Sequence, residues 1–148
     1  MIFNILDLNL INLNNFKMKR ISLILILLFS LFGNAQAHLG TTLEDLKKLH
    51  PDKTFKIDYT TAGKKYASTD MPYGTFSYYF NKETGLSDYC MQIPNDITGL
   101  NTQVEIYNRN YVIVSETSWK AYVDGGGIIN INLLYSEEYK LSYFTYKE

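Results

Sequence analysis

The residues of this chain with the most chemical potential are few: one cysteine, Cys90, and two histidines, His38 and His50. A thiol nucleophile would need Cys90 and His50 in contact, with the imidazole making the thiol acidic. Their settings favour simpler roles. His50 ends an expected helix just before Pro51, where a cation faces the negative end of the helix dipole. Cys90 falls in the middle of an expected strand as a small apolar residue. His38 offers different chemistry: if the chain is cut just before it, its amine and imidazole together can chelate a metal. One such ligand set does not complete a site, so no metal and no cofactor is expected.

The carboxylates Asp58, Asp70, Asp88, Asp96 and Asp124 are isolated in sequence. None belongs to a calcium-loop pattern, and an acid–base pair would need two of them to converge in space. They read as surface charge. Gly125-Gly126-Gly127 lies between two expected strands with no lysine after it. That placement reads as a hairpin loop, whereas a phosphate cradle joins a strand to a helix. No catalytic residue is assigned.

Aromatic residues carry what binding content the sequence has. All 13 tyrosines lie after residue 37, with Trp119 and four phenylalanines. Tyrosine suits a pleated, half-buried surface and presents an apolar body with a polar tip. With Phe76, Tyr78, Phe80, Tyr89, Met91, Trp119, Ile131 and Leu133 facing the core, Tyr79, Cys90, Tyr122, Leu134, Phe144 and Tyr146 are expected to face outward. Tyr79 and Tyr122 are the candidate binding residues, because they sit out of phase with core positions in aromatic-rich strands.

The chain ahead of these residues sets the compartment. Met18-Lys19-Arg20, an apolar run over 21–32, and Ala35-Gln36-Ala37 have the three-part form of a secretory signal peptide. The apolar run is 12 residues, short of the roughly 20 that span a bilayer. Residues 1–17 read as an upstream extension, 18–37 as the signal, and 38–148 as one small exported domain, periplasmic or extracellular. No cysteine follows the apolar run to carry a lipid, so no stable membrane anchor is expected after cleavage. A lone cysteine cannot form an intramolecular disulfide, so a packed core must supply stability.

Removing Lys17, Lys19, Arg20 and Asp7 leaves 11 basic and 14 acidic side chains, a net charge of −3, with Arg109 the single arginine. A nucleic-acid binder needs a basic stripe, and none is present.

Positioning these residues falls to a short list of elements. Thr41-Thr42-Leu43-Glu44 has capping-box form, predicting a first helix closed by Pro51. Phe55, Ile57 and Tyr59 alternate with polar residues as a half-buried strand. Further strands are expected over 64–69, 75–80 and 86–93, the last with Tyr89, Met91 and Ile93 inward. Ile97, Leu100, Val104, Tyr107 and Tyr111, spaced 3, 4, 3 and 4, predict a second helix over 96–111 with Val104 mid-stripe. Val112 to Val114 lead on to three last strands, over 119–123, 129–135 and 139–146. The expected fold is α+β: a mostly antiparallel sheet of about five to six strands with two helices on one face.

Residues Thr41-Thr42-Leu43-Glu44-Asp45-Leu46-Lys47-Lys48 resemble the first helix of small exported domains of the SmpA and β-lactamase-inhibitor-like kind. The resemblance implies a pair of helices on an antiparallel sheet. SmpA domains hold a lipid on an N-terminal cysteine, which this chain lacks, and no functional residue is carried over. The functional expectation is a non-catalytic exported protein, a protein-interaction or inhibitor-like domain. Two alternatives stand beside it: a carbohydrate-binding module using exposed tyrosine on the open sheet face, and a small secreted enzyme, which would need a concave pocket.

Overall fold

The computed structural model describes residues 38–123 and 126–148, which belong to one compact unit. The first helix, α1, is Leu43–Leu49. Four strands follow: β1 (Lys56–Tyr59), β2 (Lys65–Met71), β3 (Gly74–Phe80) and β4 (Ser87–Ile93). Then come α2 (Ile97–Asn110) and β5 (Val112–Ser115), β6 (Ser118–Tyr122), β7 (Ile128–Ser136) and β8 (Leu141–Lys147).

All eight strands form one antiparallel sheet in the order β1-β2-β3-β4-β8-β7-β6-β5. The sheet is thus larger than the five to six strands expected. The four-residue strands β1 and β5 are its two edges. Each half is a helix followed by a four-stranded meander, and the last strands of the halves pair at β4–β8. No repeat is visible in the sequence, yet the element order repeats. From β4 to the far edge at β5 is four strand spacings, about 19 Å. A 14-residue α2 is about 21 Å long, enough to make that crossing.

Local chemistry fixes the helix ends. Thr42, one residue later than expected, caps α1: its hydroxyl accepts from Asp45 N at 3.1 Å and donates to the Asp45 carboxylate at 2.7 Å. Asp96 caps α2 by accepting from Gly99 N at 2.7 Å. The deepest residues of α2 are Gln103 and Tyr107, with Val104 only half-buried and Ile97 exposed. The stripe is therefore rotated from the one expected, because a buried Gln103 does not register as apolar.

Two strands present the opposite parity to the one expected. In β4, Cys90 and Gln92 are buried, and Tyr89, Met91 and Ile93 are half-buried on the other face. The cause is a bulge: Tyr79 pairs with Tyr89 but Phe80 with Ser87, so Asp88 is an extra residue. One inserted residue moves every later side chain to the opposite face. In β8, Phe144 and Tyr146 are buried rather than outward, paired with Leu133 and Ile131. Leu141 and Tyr143 alternate with Ser142, Phe144 and Tyr146, so both parities are aromatic and the sequence period chooses neither. Strand β1 is wholly exposed, and Phe55, just before it, packs against the core instead.

The core is aromatic. Tyr107 of α2 meets Trp119, Phe144 and Tyr146 of the sheet, with ring centroids 5.2–6.4 Å apart. Leu46 of α1 joins the same buried cluster as Ala67, Tyr78 and Phe80. A polar knot lies within it: the Tyr146 hydroxyl donates to Gln92 Oε1, the Tyr107 and Tyr146 hydroxyls bond each other, and Gln92 Nε2 donates to Tyr73 O at 3.2 Å. Nearby, the Gln103 amide is buried as well.

Burial pushes the phenols of Tyr78, Tyr107 and Tyr146 above their ordinary value of 10.0, and that of Tyr89 up to about 12. A raised folded-state value keeps its stabilisation below about pH 10, the unfolded tyrosine value, and loses it as pH rises further. Absorbance of phenolate at 295 nm will therefore show the buried set ionising only together with loss of far-ultraviolet circular dichroism. Smooth ionisation of every phenol near pH 10 with the dichroism intact would contradict this core.

Candidate functional site

The face of the sheet away from Tyr107 and Leu46 carries one continuous cross-strand row. Successive pairings place Asp58, Tyr66, Tyr79, Tyr89, Lys147, Asn130 and Lys120 side by side across β1, β2, β3, β4, β8, β7 and β6. The Tyr66 and Tyr79 rings stack at 5.3 Å with planes 28° apart, and Tyr79 and Tyr89 meet at 5.3 Å and 57°. All three are half-buried. Burial first, then the neighbouring Tyr66, raises the Tyr79 phenol. Burial, then Tyr143 and Tyr79, raises that of Tyr89. At neutral pH the Tyr79 and Tyr89 hydroxyls are un-ionised, each able to donate and to accept a hydrogen bond.

Tyr79 stands at the centre of this tyrosine row. Tyr122 lies on the same face, two residues beyond Lys120 in β6, and is 64 % exposed. Four strand spacings, roughly 19 Å, separate the two, so the fold does not bring the two candidate residues together. Tyr79 gathers other neighbours instead. Tyr66 and Tyr143 were not singled out in the sequence, and Tyr89 was assigned inward. One signal for Tyr66 was there: Pro72-Tyr73 is a two-residue hairpin loop closed by Met71 pairing with Gly74. That closure alone sets Tyr66 opposite Tyr79.

The other chemical candidates disperse. Cys90 is fully buried, not outward, and burial pushes its thiol well above its ordinary value, the opposite of activation. His50 pairs with His38, ring centroids 5.5 Å apart, rather than with Cys90. Burial, then the charge of His50, holds the His38 imidazole below its ordinary value. Asp70 accepts from Thr75 at 2.7 Å, Asp88 pairs with Lys64 at 2.6 Å, and Asp96 caps α2. Asp124 and Gly125 lie outside the described residues. Gly127 O accepts from Val123 N within the β6–β7 hairpin, where Tyr122 pairs with Ile128.

A shallow cleft of about 380 Å³ lies among Leu43, Tyr59, Lys65, Phe80 and Lys82, with no carboxylate, imidazole or thiol in its lining. Among the described residues, no three His, Cys, Asp or Glu side chains cluster to hold a metal, and no helix is long and apolar enough to cross a membrane. The fold and the row define an antiparallel α+β domain with an aromatic open sheet face. The chain matches no protein-family model, no curated protein and no solved structure.

Proposed function

We propose that the chain is an exported protein-binding domain, and that its partner contacts the open sheet face centred on Tyr66, Tyr79 and Tyr89. The observation that carries this reading is the packing of those rings. Tyr66 stacks on Tyr79 and Tyr89 tilts against its other side, so the middle ring is flanked by its neighbours and offers its edge and hydroxyl to a partner. A sugar platform works the other way, with ring faces free for stacking. Fixed tyrosine rings offer large contact area at small entropic cost, and interfaces are enriched in them. Lys147 and Lys120, which continue the row, carry no salt bridge among the described residues. Beyond Asp58 at its first position, the row is aromatic and then basic, a fit for a protein surface with apolar and acidic side chains.

The reading predicts the behaviour of single substitutions. Tyr79→Ser removes the middle ring of the row and will weaken partner binding by about 2 kcal/mol, some thirtyfold, as buried interface tyrosines do. Tyr139→Ser, at an exposed turn residue between β7 and β8, will leave binding unchanged. The assay is retention of a protein from the exported fraction of the producing cells on the immobilised chain. Equal loss with both variants, or binding of oligosaccharides that Tyr79→Ser abolishes, would overturn the reading.

A further inference from the structure

We propose that export creates a copper(II) site at the new N-terminus, formed by the α-amine and imidazole of His38 and the imidazole of His50. The proposal rests on cleavage after Ala37. On sequence alone His38 supplied an incomplete ligand set; the fold adds a second imidazole from twelve residues away.

Both histidines are held by structure rather than left to a loose end. The His38 carbonyl accepts from Thr41 Oγ1 at 2.7 Å and from Ser87 Oγ at 2.9 Å. The next residues are tied to the start of β4, with Gly40 N donating to Ser87 O at 2.7 Å and Ser87 N to Thr41 O at 2.9 Å. His50 is set by the end of α1, its N–H donating to Leu46 O at 3.0 Å. Its Nε2 is buried and has no hydrogen-bond partner among the described residues. A buried imidazole nitrogen without a partner is costly in an apolar setting, and a bound cation would satisfy it.

The spacing suits a shared metal. With metal–nitrogen bonds of about 2.0 Å, two imidazole centroids lie about 4.5 Å apart at a right angle and about 6.3 Å apart when opposed. The observed 5.5 Å between His38 and His50 falls between these limits. With no third His, Cys, Asp or Glu side chain clustered there among the described residues, the third ligand is the amine that cleavage releases. Nitrogen ligands bind copper(II) most tightly among the divalent first-row ions, so copper(II) is the ion proposed.

The test is titration with copper(II) chloride of the domain prepared to begin at His38, read by calorimetry against glycine as competitor and by electron paramagnetic resonance. One copper per chain with three nitrogen ligands is expected. His50→Gln will remove one nitrogen from the spectrum and weaken binding on the order of 100-fold, the usual loss when one arm of a multidentate contact goes. A six-residue Gly-Ser extension ahead of His38, which leaves the fold untouched, will weaken it on the same scale by carrying the amine away. Affinity and spectrum unchanged in either comparison overturn the site. N-terminal sequencing of the naturally exported protein separates the two premises. A terminus other than His38 overturns the cleavage reading and the site's formation in the cell; a His38 terminus without the copper differences overturns the site alone.

Discussion

Gly74→Ala will be among the most destabilising single substitutions in this protein. Gly74 opens β3 with φ 144°, a conformation L side chains rarely adopt, and an added Cβ would lie 2.2 Å from Ile93 O and 2.9 Å from Ile93 C. Those are backbone atoms at the end of β4, so no rotamer change relieves the overlap. Either the β2–β3 hairpin or the β3–β4 pairing must open. Strain at such a position together with a broken pairing will cost about 3–5 kcal/mol, or roughly 15 °C in melting temperature for a domain of this size. Gly85→Ala is the control: its φ is 70°, but nothing lies within 4 Å of the added Cβ. It will cost about 1 kcal/mol, the left-handed penalty alone. Equal losses for the two variants would show that β3 and β4 do not approach as described.

Tyr107→Ala will be comparably damaging for a different reason. This single side chain of α2 is fully buried and touches the rings of Tyr111, Trp119, Phe144 and Tyr146. Deleting a buried aromatic ring costs about 3–5 kcal/mol through lost transfer energy and the cavity left behind. Tyr107→Phe keeps the ring and removes only the hydroxyl. Tyr146 then still donates to Gln92 Oε1, so the loss will be about 1 kcal/mol. Urea denaturation with an unchanged m-value is the measurement. A Tyr107→Ala variant within 1 kcal/mol of Tyr107→Phe would mean that α2 does not cover the sheet through this residue.

Local signals made much of the fold legible. The 3, 4, 3, 4 spacing located α2 to within a residue at each end. The α+β class with a mostly antiparallel sheet was legible as well. What stayed hidden was set by contacts distant in sequence or by a single-residue irregularity. The bulge at Asp88 reversed β4, placing Cys90 and the polar Gln92 in the core while Tyr89 and Met91 went outside. In β8, Tyr143 and Phe144 are equally plausible inward residues until the pairing with β7 chooses between them.

The candidate surface was half legible. Tyr79 follows from alternation within β3, but its stacking neighbours follow only from register across β2 and β4. Tyr122 shares its face and not its neighbourhood. The pairing of His38 with His50 depends on where the chain before α1 docks against β4, which no local pattern encodes.

The central claim is that a protein partner meets the tyrosine row. A photoreactive benzoylphenylalanine placed at position 79, illuminated in the producing cells, tests it where the partner is present. The same probe at position 139 and at position 105, on the exposed side of α2, supplies the comparison. A discrete protein adduct from position 79, absent from 139 and 105, is the result expected. Adducts from position 105 or 139 with none from 79 would contradict it.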